Sequence, residues 1–356
     1  MPDWTKSMQQ TFEFSVVDPG TWGDVREIQN VKPGSSISWD LESDTLGSAT
    51  LELTDIIEEC YVRITLVTIQ NGVTEKTPLG TFLVQSPSSS FDGKSDIVSA
   101  DAYSPLLELK EKYPDVGYYI PKGTNVMDSV YMSTRENLRA PVVKPSYAET
   151  LNSDFIADPN NTWLTFLKDL MSNVDYLFTL DEMGRVLFAP KQETAALQPR
   201  WTFDDGNSSI LYPDISMDRD LYGIPNVVEV ICSTSEGKVY SYTAINDDPD
   251  SPTSTVKRGR KIVHRDTNPS IVGTVTTDRV KEYAELLLKE LSSVEHVLTF
   301  SHGYCPVKIG DCVRLNYERA NLTNINAKII SQTITCNTGC PVTTKAVYTT
   351  KYWGGE

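Results

Sequence analysis

The sequence predicts a mainly β protein with an α+β insertion: two related antiparallel β-barrels plus a central α+β module. Three observations predict it. Through the first hundred residues apolar and polar side chains alternate with a period of two, as in half-buried strands. Around residues 163–171 the period becomes that of a helix. Four short stretches of the N-terminal third then recur, in the same order, toward the C-terminus.

Taken along the chain, Ala49, Leu51 and Leu53 alternate with Thr50, Glu52 and Thr54, and Val62, Ile64 and Leu66 with Arg63, Thr65 and Val67. Asn71-Gly72 between two β-rich runs predicts a tight hairpin, because a type I′ turn needs positive φ at both central residues. Phe91-Asp92-Gly93-Lys94 predicts the next reversal. A short helix is expected over residues 125–138, between Gly123 and Pro141. Trp163, Phe166, Leu167, Leu170 and Met171 predict a second, with Thr162 placed to cap its free N–H groups. Tyr176, Phe178 and Leu180 lead into Asp181-Glu182-Met183-Gly184, and Val186 and Phe188 lead out, which is a hairpin. Strands return after Trp201 and resume from Val297 to Trp353. Between them Val280, Tyr283, Ala284, Leu287, Leu288 and Leu291 form a helical stripe, with Thr277 and Asp278 suited to its start. That helix is expected to pack on the one beginning near Trp163. The Asp-, Pro- and Ser-rich residues 246–255 are expected to project as a surface loop.

The repeat sets the domain expectation. Ile37-Ser38-Trp39-Asp40 followed by Thr50-Leu51-Glu52-Leu53 matches Ile215-Ser216-Met217-Asp218 followed by Val227-Val228-Glu229-Val230, the strands starting 13 and 12 residues after their Ile. Glu59-Cys60-Tyr61-Val62-Arg63-Ile64 matches Asp311-Cys312-Val313-Arg314-Leu315, and Phe82-Leu83-Val84-Gln85 matches Lys328-Ile329-Ile330-Ser331-Gln332. Chance similarity between β-rich segments is one explanation and duplication the other; the shared order favours duplication. Domains are then expected at 1–107 (first barrel), 108–200 with 266–296 (α+β), and 201–265 with 297–356 (second barrel). A chain of 356 residues is long enough for two or three such cores.

Composition excludes several function classes. No run of ~18 apolar residues exists to span a membrane, and Met1 to Gln10 lack the features of a signal peptide, so folding in a cytosol is expected. Six irregularly spaced cysteines are too sparse for a disulfide scaffold and are expected to be reduced and mostly buried. A net charge of -16 argues against nucleic-acid binding. Residues 1–110 hold 17 acidic against 7 basic side chains, the largest part of the excess.

No catalytic or cofactor-binding residue can be named, and no metal site is assigned. Nucleophile elbow, P-loop, zincin motif and dinucleotide fingerprint are missing, and the three histidines, His264, His296 and His302, have no triad-like neighbours. His302 with Cys305, Cys312, Cys336 and Cys340 is the best zinc candidate. However, six residues separate the first cysteine pair and three the second, against two to four in the usual hairpins. Asp247, Asp248 and Asp250 lack the alternation of a calcium loop. Lys257, Arg258, Arg260, Lys261 and Arg265 form a basic run, either a solvated hairpin or a surface for the acidic N-terminal module of a neighbouring copy.

Trp39-Asp40 with Leu46-Gly47-Ser48-Ala49-Thr50-Leu51 resembles the opening of phage tail hub proteins. Leu79-Gly80-Thr81-Phe82-Leu83-Val84, Asp101-Ala102-Tyr103 with Leu106 and Leu107, residues 162–190, residues 307–317 and residues 328–334 resemble later segments of the same pattern. The resemblance is to contractile-tail baseplate hubs and to the hub-like N-terminal region of siphophage tail-associated proteins. It implies two related barrels around an α+β module and a homotrimeric ring under the tail tube. Such a ring would have a tube or distal tail protein above and a fibre, spike or other tip protein below. DNA would pass through without specific binding, in a virion component assembled in the host bacterial cytoplasm. The chain stops at Glu356, so no hydrolase domain and no enzymatic activity are expected. The acidic surplus then suits a DNA conduit, although charge for solubility explains it equally. The rival readings are a receptor- or carbohydrate-binding tail protein, with Trp4, Trp22, Trp39, Tyr118 and Tyr119 as stacking platforms, and a hub-type endopeptidase.

Overall fold

The computed structural model describes residues 2–350 apart from 92, 94–95, 193–196, 220, 234–236, 268 and 270–274. Asp92, Lys94 and Trp353, which figured in the expected turn and last strand, lie outside the described residues. The chain is mainly β, with antiparallel sheets and a few helices, and divides into two units: 1–215 with 299–346, and 216–298 with 347–356.

The first unit begins with seven strands: β1 Gln9–Val17, β2 Asp24–Glu27, β3 Ser36–Asp40, β4 Gly47–Leu53, β5 Tyr61–Gln70, β6 Val73–Phe91 and β7 Asp96–Tyr103. They pair antiparallel in the order β3-β4-β7-β6-β5-β1-β2. Strand β4 alternates strictly, with Gly47, Ala49, Leu51 and Leu53 buried. Strand β5 does not: its first eight residues are all buried, including Arg63. The turn from β5 to β6 has Asn71 and Gly72 at φ 52° and 79°, the positive values that the Asn-Gly pair predicts. Gly47 and Gly80 lie against the Trp39 ring; a Cβ on Gly47 would sit 2.4 Å from it and one on Gly80 2.5 Å from Phe82. Close approach of backbone to rings therefore explains both Leu-Gly steps.

The chain then forms α1 Leu107–Glu111, β8 Tyr119–Ile120, α2 Val126–Asn137, β9 Phe155–Ile156, α3 Trp163–Ser172, β10 Tyr176–Leu180 and β11 Val186–Pro190. Asn125 and Thr162 cap α2 and α3 by accepting from Asp128 N and Thr165 N. The α3 stripe, Trp163, Phe166, Leu167, Leu170 and Met171, is buried among residues of α1, α2, β10 and β11. These helices and short strands share one apolar core within the first unit.

The remaining strands are β12 Pro199–Asp204, β13 Leu211–Arg219, β14 Val227–Ser233, β15 Val239–Ile245, β16 Val263–Asp266, β17 Val294–Gly303, β18 Cys312–Tyr317, β19 Leu322–Thr335 and β20 Pro341–Thr350, with helices α4 Thr255–Arg258 and α5 Thr277–Leu291 among them. In the first unit β19 joins β3 antiparallel, from Ser331↔Asp40 to Thr335↔Ser36, so the strands of the two ends of the chain form one continuous sheet. Strand β12 lies parallel to β18, an exception to the antiparallel rule.

The four matched stretches do not all keep their roles. The second pair of matches does: β5–β6 and β18–β19 are both antiparallel hairpins. The first pair departs, since β3 and β4 are hydrogen-bonded neighbours whereas β13 and β14 belong to different sheets.

The second unit holds a three-stranded sheet in the order β15-β14-β16, with β16 parallel to β14. Helix α5, capped by Thr276 and with Asp278 in its first turn, buries Val280, Ala284 and Leu288 on Val228, Val230, Cys232 and Ala244 of this sheet. This corrects the expectation that α5 covers α3, and with it the grouping of residues 266–296 with 108–200. The apolar face of β14 and β15 needs a cover, and the next amphipathic element along the chain supplies it.

Candidate functional site

His302 sits on β17 with its ring against Phe203. Its Nδ1 is 2.7 Å from the Gly303 carbonyl oxygen, which can only accept, so Nδ1 carries the proton. Nε2 then accepts from the Thr344 hydroxyl at 2.9 Å, and Gln332 Nε2 donates to the same hydroxyl at 3.3 Å. Both ring nitrogens are thus engaged. Burial lowers the His302 pKa to about 4, against a smaller opposing pull from the Gly303 carbonyl, so the ring is neutral at pH 7. Cys305 approaches Nδ1 to 4.0 Å, but burial raises the thiols of Cys305, Cys336 and Cys340, Cys336 to about 12. Cys312, on β18, is likewise buried and raised by burial. All six cysteines are free, and among the described residues no three His, Cys, Asp or Glu side chains are gathered as a metal site would need. The ring and the thiols act as packed core groups.

Asp247, Asp248 and Asp250 are not gathered into a metal site among the described residues; they are exposed, as expected of a surface loop, but the loop is anchored at both ends. Asn246, Ser251, Thr253 and Ser254 are buried, with Asn246 Nδ2 donating to Ser251 Oγ at 3.0 Å and Thr253 Oγ1 at 3.3 Å. Asn246 Oδ1 accepts from Asp248 N, and Thr255 N donates to the Asn246 carbonyl. The polar composition that suggested a surface loop is thus split: the aspartates face solvent, while Asn246, Ser251, Thr253 and Ser254 are consumed inside the fold. Asn246→Ala is expected to destabilise the second unit by about 1–3 kcal/mol, through unsatisfied buried hydroxyls. Limited proteolysis should then cut within residues 246–255, whereas an unchanged digestion pattern would show that the network is dispensable.

The basic run is divided in its roles. Arg258 donates to the carbonyls of Ile224 and Leu221, and Arg265 pairs with Glu229. Lys257, Arg260 and Lys261 are exposed. His264 is exposed on β16, and His296 is stacked on Tyr348 at 4.6 Å, its pKa lowered by burial and by Arg219.

The aromatic residues proposed as stacking platforms are mostly packed inward. Trp4 meets Tyr304 edge-on, Trp22 meets Tyr61 and donates to the Met183 carbonyl, Trp39 lies on Phe82, and Tyr118 lies between Trp163 and Phe166. Tyr119 is exposed.

What remains is a surface with charge. Within residues 1–110 much of the basic charge is neutralised locally: Lys6 by Asp3, Arg63 by Asp24, Lys76 by Glu13 and Lys110 by Asp44. Lys110 in turn holds the Asp44 carboxyl below the usual range. The surplus carboxylates, among them Glu27, Glu42, Asp55 and Glu58, are exposed. Glu108 is the exception. It is buried in α1, accepts from Tyr61 Oη at 2.9 Å and Arg139 N at 2.8 Å, and pairs with the Arg139 guanidinium. Its position inside the apolar run Leu106-Leu107-Glu108-Leu109 was the sequence signal for that role. No described helix is long and apolar enough to cross a membrane.

No protein-family model and no curated protein matches this sequence. Solved structures do match in fold. A tail protein from Neisseria meningitidis MC58 superposes with a TM-score of 0.64 at 11% identity, over 96% of this chain and 97% of that one. The 43 kDa tail protein of prophage MuSo2 from Shewanella oneidensis gives 0.60 at 12% identity, over 95% and 98%. A prophage tail protein from Listeria monocytogenes EGD-e gives 0.50 at 13% identity, over 94% of both. The chain therefore has a fold known from phage and prophage tail proteins.

Proposed function

We propose that this chain is a non-enzymatic structural subunit of a phage-type tail. In this reading it is a hub that closes as a homotrimeric ring beneath the tail tube and joins it to distal tip proteins in the virion. The observation that carries the proposal is the end-to-end match to three tail proteins, which leaves no large part of the chain outside the shared fold. The saturated His302 and the raised cysteine thiols support work by shape and assembly, because neither offers a free lone pair or a thiolate for chemistry. The acidic surplus supports a conduit, since a negative lining keeps DNA phosphates from adhering as they pass.

Native mass spectrometry of the full chain at micromolar concentration is the direct test. A species of three times the 39.7 kDa chain mass is expected. A monomer would remove the permanent ring from the proposal, and hydrolysis of cell-wall peptidoglycan by the purified chain would remove its non-enzymatic part.

A further inference from the structure

We infer that the ring is joined by edge-to-edge pairing of β2 in one copy with β16 in the next. The inference rests on the homotrimeric reading above and names the surfaces that would make it. Among the described residues strand β2 ends the strand order of its sheet, with β1 on one side only, and all four of its residues, Asp24-Val25-Arg26-Glu27, are exposed. Among the described residues strand β16 ends the order of the three-stranded sheet, with β14 on one side, and Val263, His264 and Arg265 are exposed. A free strand edge presents unpaired N–H and C=O groups and accepts another strand unless something guards it. Charge is a usual guard: β2 has two acidic side chains against one basic, whereas Arg265 and Asp266 of β16 cancel and the basic charge lies in the residues that lead into that strand.

Beside β2 a groove is lined by Arg26, Ile28, Ile56, Ile57, Glu58 and Glu59, so the edge faces carboxylates with an apolar floor. In the residues that lead into β16, Lys257, Arg260 and Lys261 are exposed and form no ion pair among the described residues. Each edge also offers an apolar side chain to a partner, Val25 at 65% exposure and Val263 at 46%. Two copies meeting β2 to β2 would oppose Glu27 and Glu58 to their own kind, and β16 to β16 would oppose the lysines. Only the unlike pairing is attractive, so charge both selects the contact and rejects its alternatives. A contact between two different patches is heterologous, and heterologous contacts generate either closed rings or filaments. The two edges thus make every copy both donor and acceptor, as a ring requires.

The test reverses charge on exposed side chains of the full chain and reads association by native mass spectrometry and sedimentation. Glu27→Lys with Glu58→Lys, and separately Lys257→Glu with Lys261→Glu, should each weaken association roughly tenfold or more. All four substitutions in one chain should restore it, with thermal unfolding of every variant close to wild type. A wild-type trimer indifferent to either reversal, or not restored by the combination, overturns the edge pairing and leaves the ring. A wild-type monomer overturns both. If a reversed variant fails to fold, a mixture of Val25→Cys and Val263→Cys chains decides instead. Disulfide-linked dimers should form under oxidation in the mixture and in neither chain alone, and their absence rejects the contact.

Discussion

Replacing Phe166 by Ala is expected to lower the unfolding free energy of the first unit by about 3–5 kcal/mol, the usual range for removing a buried phenyl ring. Phe166 is 1% exposed on α3 and touches three other rings: Tyr118 at 5.7 Å, Phe155 at 5.2 Å and Trp163 at 5.8 Å between centroids. These partners come from α3 itself, from β9 and from the residue just before β8, and both strands are only two residues long and gain little from their own ladder. The ring therefore fastens a weak pair of strands to the helix, and the cavity left by Ala has poorly supported walls. Chemical denaturation followed by near-ultraviolet circular dichroism reads the loss, because the affected rings report on their own packing. Val116→Ala, at a position 90% exposed in the same module, should change stability by no more than ~0.5 kcal/mol. A loss below ~1 kcal/mol for Phe166→Ala would show that α3 is not the element holding this module together.

The contrast between these two positions also shows how far the sequence could be read. The α3 stripe, its Thr162 cap and the hairpin through Asp181-Glu182-Met183-Gly184 were legible because local periodicity, capping and turn chemistry all act within a few residues. Arg63 was not legible. Its place in an alternating strand suggests a half-exposed position, yet β5 is covered on both faces, and the charge is accommodated by Asp24, the Trp22 carbonyl and Thr81, which lie 18 to 41 residues away. Alternation reports the pleat of a strand and not the number of layers packed on it. The partner of α5 was hidden for a related reason, since a stripe states that a helix needs an apolar cover without saying which sheet provides it. Residues 246–255 were legible only in part, because composition counts polar groups and cannot tell that Asp247, Asp248 and Asp250 face water whereas Asn246, Ser251 and Thr253 bond one another. The parallel pairs β12–β18 and β14–β16 join segments remote in sequence, and nothing in either strand encodes such a partner. For the site, spacing alone had already weakened the cysteine candidate, while the two free edges were missed because four-residue strands leave almost no periodic signal.

Lowering the pH from about 6.5 to about 4 is expected to remove about 3 kcal/mol of stability through His302 alone, on the conversion of one pKa unit to 1.36 kcal/mol. The cause is burial. The imidazole lies inside the sheet, with its Nδ1 proton given to the Gly303 carbonyl and its Nε2 lone pair filled by the Thr344 hydroxyl. A second proton on Nε2 would have to displace that hydroxyl hydrogen and would place a charge where no carboxylate among the described residues pairs with the ring. The unfolded chain meets no such obstacle and binds the proton near 6.5, so between the two pKa values it takes up the proton first and the folded state is penalised. Stability from this group is therefore complete above pH ~6.5, falls as the pH drops and levels off below about 4. Burial also lowers the His296 pKa, and ion-paired Asp44 weakens the fold at still lower pH, so the wild-type curve contains all three with the same sign. The difference between wild type and His302→Gln isolates the first, because a glutamine can accept from Thr344 and does not titrate. Urea unfolding at half-unit intervals from pH 7 to 4 should give a shallower slope for the variant, whatever its absolute stability. Parallel curves would mean that His302 is reached by water and takes its proton in the folded state, and the core assigned to β17, β19 and β20 would then be open where the hydrogen-bond chain from Gln332 to Gly303 says it is closed.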